Sequence, residues 1–296
     1  MWQQMMDFLK SFFLFPGVKI EWVLVAAIMA ILFGAVWVYA HWPPLFKKHW
    51  LWAAAVFSAF FTLLAIVFVQ IPLQYWANSA ILHFFNIKTV YNWLLLIGIP
   101  SILVSGLVQE GSKMLPAVAY WWRSGHKITP RMGLAIGAIA GAAFGIFEAF
   151  WVFGQMFGAG WTFGAIRTDG FAGSAGLVER FFAIGFHTAA GALTGYGLAK
   201  GKGWQFYLIA SVLHGFLNYV SLLSQKGYLG LELVETWVAV VTIGTSIWVL
   251  MLRWGKWSDP DLIAETAPVI TEQVMPEQPM PGPVEGAPKH EDKPEE

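Results

Sequence analysis

The sequence predicts an all-α fold, a polytopic transmembrane bundle of about seven spanning helices (six to eight). Three observations carry that expectation. The chain of 296 residues is 57% hydrophobic and only 12% charged, with 17 Trp and 24 Phe, which is the composition of a lipid-embedded protein. Apolar stretches of spanning length recur at 21–41, 50–70, 94–122, 132–156, 179–199, 204–225 and 232–253, each near the ~20 residues that cross the hydrocarbon as a helix. Ionisable residues are rare inside them, and most fall in the connections and the C-terminal tail.

Taken in order, residues 1–20 form an amphipathic stretch with Asp7 and Lys10, broken at Pro16-Gly17. It reads as an interfacial helix, because no small-residue cleavage pattern follows to make it a signal peptide. The span at 21–41 and the span at 50–70 are apolar over most of their length. Ile71 to Val90 is too polar to span and is expected to be an external interfacial or re-entrant segment. In the third span Gly98 and Pro100 are expected to bend or restart the helix. The fourth span carries Gly133, Gly137, Gly141 and Gly145 at four-residue spacing, and the fifth carries Gly191 and Gly195. Small faces of this kind let helix backbones approach closely. Trp50, Trp52, Trp121 and Trp122 fall at span ends, as an interfacial aromatic belt requires.

The domain expectation is therefore an N-terminal segment 1–20, a helical domain 21–256 and a tail 257–296. Residues 259–296 hold 2 basic and 10 acidic side chains and many prolines, a composition unable to bury enough apolar surface to fold. Nine Lys and Arg in one set of alternate loops face five in the other, which predicts an outside N-terminus and a cytoplasmic C-terminus in a cell membrane. Cysteine is absent, which removes disulfides and thiolate chemistry. No basic patch with interleaved aromatics points to nucleic acid.

The functional signal lies in the exceptions to apolarity. A charge at the bilayer centre costs about 2.5–3.5 kcal/mol on the lenient insertion scale, so retained intramembrane charges point to function. Glu110 with Lys113, Glu148, His187, and His214 with Asn218 all lie within predicted spans. At ~1.5 Å per residue, Glu110 lies ~20 Å from Arg123 and His214 ~18 Å from Lys202, while His187 is ~12 Å in from Glu179 and Glu148 ~25 Å from Arg131. Four helices thus deliver polar groups to one layer, between the midplane and the outer leaflet. Glu110 and Lys113 share a helix face, as do Gln109 and Lys113, His214 and Asn218, and Arg180 and His187. Taken singly, such residues also serve as structural ion pairs or interhelical hydrogen bonds.

The ordered blocks QEGSK at 109–113, GAAFGIFEAF at 141–150, ERFFAIGFHT at 179–188 and LHGFLNY at 213–219 resemble the PrsW and YhfC intramembrane proteases. Those proteases belong to the wider superfamily of CAAX prenyl endopeptidases and bacteriocin-processing enzymes, and the likeness covers a motif core at about 95–225. The resemblance implies an endopeptidase that cleaves a membrane-anchored protein or peptide within the lipid bilayer. The family pattern is EExxK or EExxxR, then a Glu or His, a His, and HxxxN or HxxxD. Its second glutamate corresponds to Glu110 and its lysine to Lys113, and the later motifs to Glu148, His187, His214 and Asn218. The chain departs at the first glutamate, where it has Gln109.

Amide hydrolysis needs a base, an oxyanion stabiliser and an acid for the leaving amine. The expected roles are Glu110 as base with Glu148 as second carboxylate, His214 and Asn218 at the oxyanion, and His187 orienting water or protonating the amine. Gln109, Lys113, Glu179 and Arg180 support them. The alternative is a zinc set drawn from His187, His214 and Glu110 or Glu148. Because the two histidines stand on different helices without HExxH spacing, the glutamate-type reading is favoured and no cofactor is expected. Two other function classes remain open on sequence: a non-catalytic relative that binds membrane helices, motivated by Gln109, and a proton- or ion-coupled transporter. The second lacks the internal repeat that many carriers show.

Overall fold

The computed structural model describes residues 1–254, and among them every regular element is helical. The expected acidic tail lies outside the described residues. In chain order the helices are α1 (Trp2–Ser11), α2 (Ile20–His41), α3 (Trp50–Ala65), α4 (Ile71–Phe84), α5 (Ile87–Asn92), α6 (Leu94–Ile97), α7 (Ile99–Arg123), α8 (Pro130–Gly158), α9 (Gly164–Thr168), α10 (Phe171–Ala199), α11 (Gly203–Gln225) and α12 (Leu231–Trp254).

Six helical stretches are long and apolar enough to cross a membrane: Ile20–His41, Trp50–Phe84, Leu94–Arg123, Pro130–Gly158, Gly203–Gln225 and Leu231–Trp254. The remaining long helix, α10, has 29 residues but carries Glu179 and Arg180. It can be less apolar because protein rather than lipid surrounds it: residues from Ala183 to Gly195 are buried without interruption. The fold is thus a polytopic helical bundle within the expected range of spans. Side chains such as Ile28, Ile31, Val56, Val212 and Ile247 are exposed, as a lipid-facing surface requires.

One local reading changes and another holds. The stretch after residue 70 is neither re-entrant nor separate, because α3 passes through a π-helical turn at Ile66–Gln70 directly into α4. The composite helix has 35 residues, about 52 Å at 1.5 Å per residue, so its polar end extends past the hydrocarbon thickness instead of folding back. In the third span, α6 ends at Ile97 and α7 restarts at Ile99 with Pro100 in its first turn, where a missing N–H costs nothing.

The centre of the bundle is the α8–α10 pair. Thr129 opens α8 by accepting the Met132 N–H at 3.2 Å, followed by Pro130, a standard helix start. Along the shared seam, a methyl on Gly133 would run into the Gly195 carbonyl, one on Gly137 into that of Gly191, and one on Gly141 into that of His187. Glycine is therefore what lets α8 lie backbone to backbone on the helix carrying His187. α2, α3, α7, α11 and α12 pack around this pair. Ser58 on α3 donates to the Ala140 carbonyl of α8 at 2.9 Å, and Thr242 on α12 to the Phe182 carbonyl of α10 at 3.1 Å.

α1 is tied to the bundle. Its Met5, and Phe12 just after the helix, are buried with Leu63 and Val67, and Phe12 stacks on Trp151 at 4.7 Å between ring centres.

Candidate active site

The intramembrane charges of four helices meet in one connected relay. On α7, Glu110 and Lys113 are one helical turn apart, and both are fully buried. Lys113 Nζ donates to Glu110 Oε1 at 2.6 Å and lies 2.9 Å from His187 Nδ1 on α10. An ammonium only donates, so His187 Nδ1 is the acceptor and its ring proton sits on Nε2. That nitrogen lies 3.3 Å from Glu148 Oε2 on α8. On α11, His214 Nδ1 lies 2.6 Å from Glu110 Oε1, and since a carboxylate accepts, Nδ1 carries the proton there.

The outer end of the relay is an arginine clamp. Arg180 Nη1 donates to Glu148 Oε2 at 2.9 Å, while its Nε and Nη2 hold Glu179. Glu148 is 22% exposed, whereas Glu110 is sealed. Each charge in the relay has an opposite charge or an imidazole beside it, the condition under which ionised groups are tolerated in a low-dielectric interior. Phe144 and Phe186 pack edge-on against His187 and His214, with ring centres 5.2 and 5.5 Å away, and help keep water from this side.

One atom stands outside this satisfaction. Glu110 Oε1 serves both Lys113 and His214, yet Oε2 of the same carboxylate is buried with no hydrogen-bond partner. Glu110, His187 and His214 also offer one ligand atom each within 4.8 Å of one another. Two imidazoles and a carboxylate form a three-ligand set of the kind that catalytic zinc uses. With Glu110 Oε2 unpartnered, the three residues fit a metal ion once the Lys113 ammonium gives up His187 Nδ1, and among the described residues this is the one such group.

Two sequence-predicted members lie apart from the relay. Asn218 shares a face of α11 with His214, but its Nδ2 donates to Ser105 Oγ on α7 at 3.3 Å. Gln109, beside Glu110 in sequence, turns to the π segment, where its Nε2 donates to Gln70 Oε1 at 3.1 Å. Sequence reasoning missed Gln70, a lone polar residue at the end of an apolar span. It also missed Glu235 on α12, which is buried, has an unpartnered Oε2 and lies within electrostatic reach of Glu179 and Arg180. Its position in the first turns of the last predicted span resembled an ordinary flanking charge, and only the packing of α12 on α10 reveals otherwise.

No curated protein and no solved structure matches this chain. A family model does: the one described as PrsW family intramembrane metalloprotease matches residues 47–249. The match spans α3 to α12 and includes every member of the relay, and the chain belongs to the PrsW family of intramembrane proteases.

Proposed function

We propose that the protein is an intramembrane endopeptidase that hydrolyses a peptide bond of a membrane-anchored protein within the layer of the Glu110 relay. The observation that carries this reading is the division of labour on Glu110. One oxygen is committed to Lys113 and His214, which fix the carboxylate in place, and the other is free. A held carboxylate with a free oxygen can take a proton from a water placed against it.

The other residues have matching tasks. His187 carries its proton on Nε2, next to Glu148, and can release it toward the leaving amine as its Nδ1 takes the Lys113 proton. Glu110 replaces that proton with the one it took from water, so the imidazole stays neutral. Glu148, clamped by Arg180 and partly exposed, keeps Nε2 in touch with the aqueous side, where the starting tautomer can be restored. His214 holds Glu110, and Asn218, one helical turn farther along α11, can turn its amide from Ser105 to a developing oxyanion. Zinc held by Glu110, His187 and His214 would supply a Lewis acid and lower the pKa of bound water. Judged by depth along the helices and by the Lys and Arg bias of the loops, cleavage falls toward the outer leaflet of a cell membrane.

The test is cleavage of single-span membrane peptides by the purified protein in liposomes, with Glu110→Ala and with a chelator. Cleavage lost in Glu110→Ala but retained under chelation supports Glu110 as the base. Cleavage lost under chelation and restored by zinc assigns the free oxygen to the metal. If Glu110→Ala, His187→Ala and His214→Ala all cleave as the natural protein does, the peptidase reading is wrong.

A further inference from the structure

A second polar row, separate from the charged relay, runs along the seam between α7 and the π-helical turn that leads into α4. Gln109 Nε2 donates to Gln70 Oε1 at 3.1 Å, Gln70 Nε2 faces Gln74 Oε1 at 3.5 Å, and Gln74 Nε2 donates to the Ser101 carbonyl at 2.8 Å. The direction of this row is forced. A backbone carbonyl can only accept, so Gln74 must turn its nitrogen to Ser101 and its oxygen to Gln70, and each amide sets the next. The free end is therefore an oxygen: Gln109 Oε1 is buried without a partner, on a side chain only 7% exposed.

An unpartnered acceptor inside a membrane protein is costly, and this one belongs to the residue that directly precedes Glu110, the holder of the free carboxylate oxygen. Gln70 ends the π-helical turn, a distortion that recurs at functional sites. What Gln109 lacks is an N–H donor. A transmembrane segment must lose its helical hydrogen bonds before a carbonyl in it can be attacked, and each N–H so released needs an acceptor where no water is available.

We infer that Gln109 Oε1 is a substrate-binding acceptor, which takes a backbone N–H of the unwound substrate segment beside the scissile bond. Gln70 and Gln74 are positioning residues that keep that oxygen forward. The inference rests on the peptidase reading above. It gives Gln109 a binding role that a carboxamide fills without acting as a base.

The probes are Lys-flanked Leu/Ala peptides with an apolar span of about 20 residues and a Gly pair in its outer third, added to liposomes holding the full chain. Each backbone amide around the Gly pair is N-methylated in turn, which removes one N–H. Binding is read by fluorescence, and cleavage is followed in the same samples. For the natural protein, one methylation site weakens binding about tenfold. In Gln109→Met that penalty falls to less than about twofold, the unmethylated peptide itself binds about tenfold more weakly, and Gln74→Leu gives an intermediate loss. Gln70→Leu serves in place of Gln109→Met if that variant does not fold.

A penalty that persists in Gln109→Met, a scan with no sensitive position, or failure of every probe to bind overturns the inference. A position-specific penalty without cleavage keeps the binding site and rejects hydrolysis. Cleavage without any such penalty rejects the inference alone.

Discussion

Lys113 Nζ stands between two catalytic candidates, 2.6 Å from Glu110 Oε1 and 2.9 Å from His187 Nδ1. One cation thereby neutralises the deepest carboxylate and decides which nitrogen of His187 carries the proton. Removing it leaves a buried, uncompensated carboxylate, a change worth about 3–5 kcal/mol. Lys113→Met is expected to lower unfolding stability in detergent by that amount and to abolish cleavage. The double variant Lys113→Met/Glu110→Leu is expected to recover most of the stability and none of the activity. A double variant as unstable as the single one would show that the cation does more than balance Glu110.

The glycine seam sets where His187 sits. A methyl at Gly141 would meet the His187 carbonyl itself, so Gly141→Ala must push α10 away from α8. The expected cost is about 1–3 kcal/mol of overpacking, with activity falling more than stability because His187 moves relative to Lys113. Gly244→Ala, where nothing lies within 4 Å, is the control and should match the natural protein in thermal unfolding and in cleavage. Equal behaviour of the two variants would refute the seam argument.

Arg180 links Glu148 to Glu179. Arg180→Gln frees Glu148 to leave His187 and should reduce kcat with little change in KM, since the lost contact concerns proton transfer rather than binding. Glu179→Gln keeps the Glu148 contact and is expected to act in the same direction but more weakly. Steady-state kinetics on any cleaved peptide decides this, and a pure KM effect in Arg180→Gln would count against the assignment.

Metal binding can be tested apart from activity. If zinc occupies the Glu110, His187 and His214 set, the purified protein should hold about one equivalent by elemental analysis. A chelator should also lower its unfolding midpoint, because a ligand at 100 times its Kd stabilises the folded state by about 2.7 kcal/mol. Glu110→Gln, His187→Ala and His214→Ala should each reduce the zinc content. Retained zinc in all three variants would place the metal elsewhere.

Gln109→Glu offers a separate check on the amide row. A carboxylate there would set its oxygens against Gln70 Oε1, and flipping Gln70 to relieve that contact sets two oxygens together at Gln74. A loss of about 1–3 kcal/mol is expected, with no gain in cleavage rate, because Gln109 contacts Gln70 rather than the Glu110 relay. A faster Gln109→Glu enzyme would instead indicate that the position can reach the attacking water.

The sequence by itself determined the helical class, the spans and which of them carry charged side chains, because the cost of placing polar atoms in hydrocarbon acts on every residue and leaves a pattern in one dimension. It also determined the glycine seam, since four-residue spacing is a property of a single helix. Only the tertiary structure decided which charges touch. Helix spacing puts Glu110 and Lys113 on one face, but whether Lys113 reaches His187, whether Glu148 pairs with Arg180, and whether Gln109 turns toward Glu110 or Gln70 depends on the rotation and depth of neighbouring helices. Those are fixed by packing between distant segments, such as Gly137 on Gly191, which no local pattern encodes. Gln70, Gln74 and Glu235 escaped notice for the same reason: each is an unremarkable polar residue in its own sequence context and acquires meaning only from the helix packed against it.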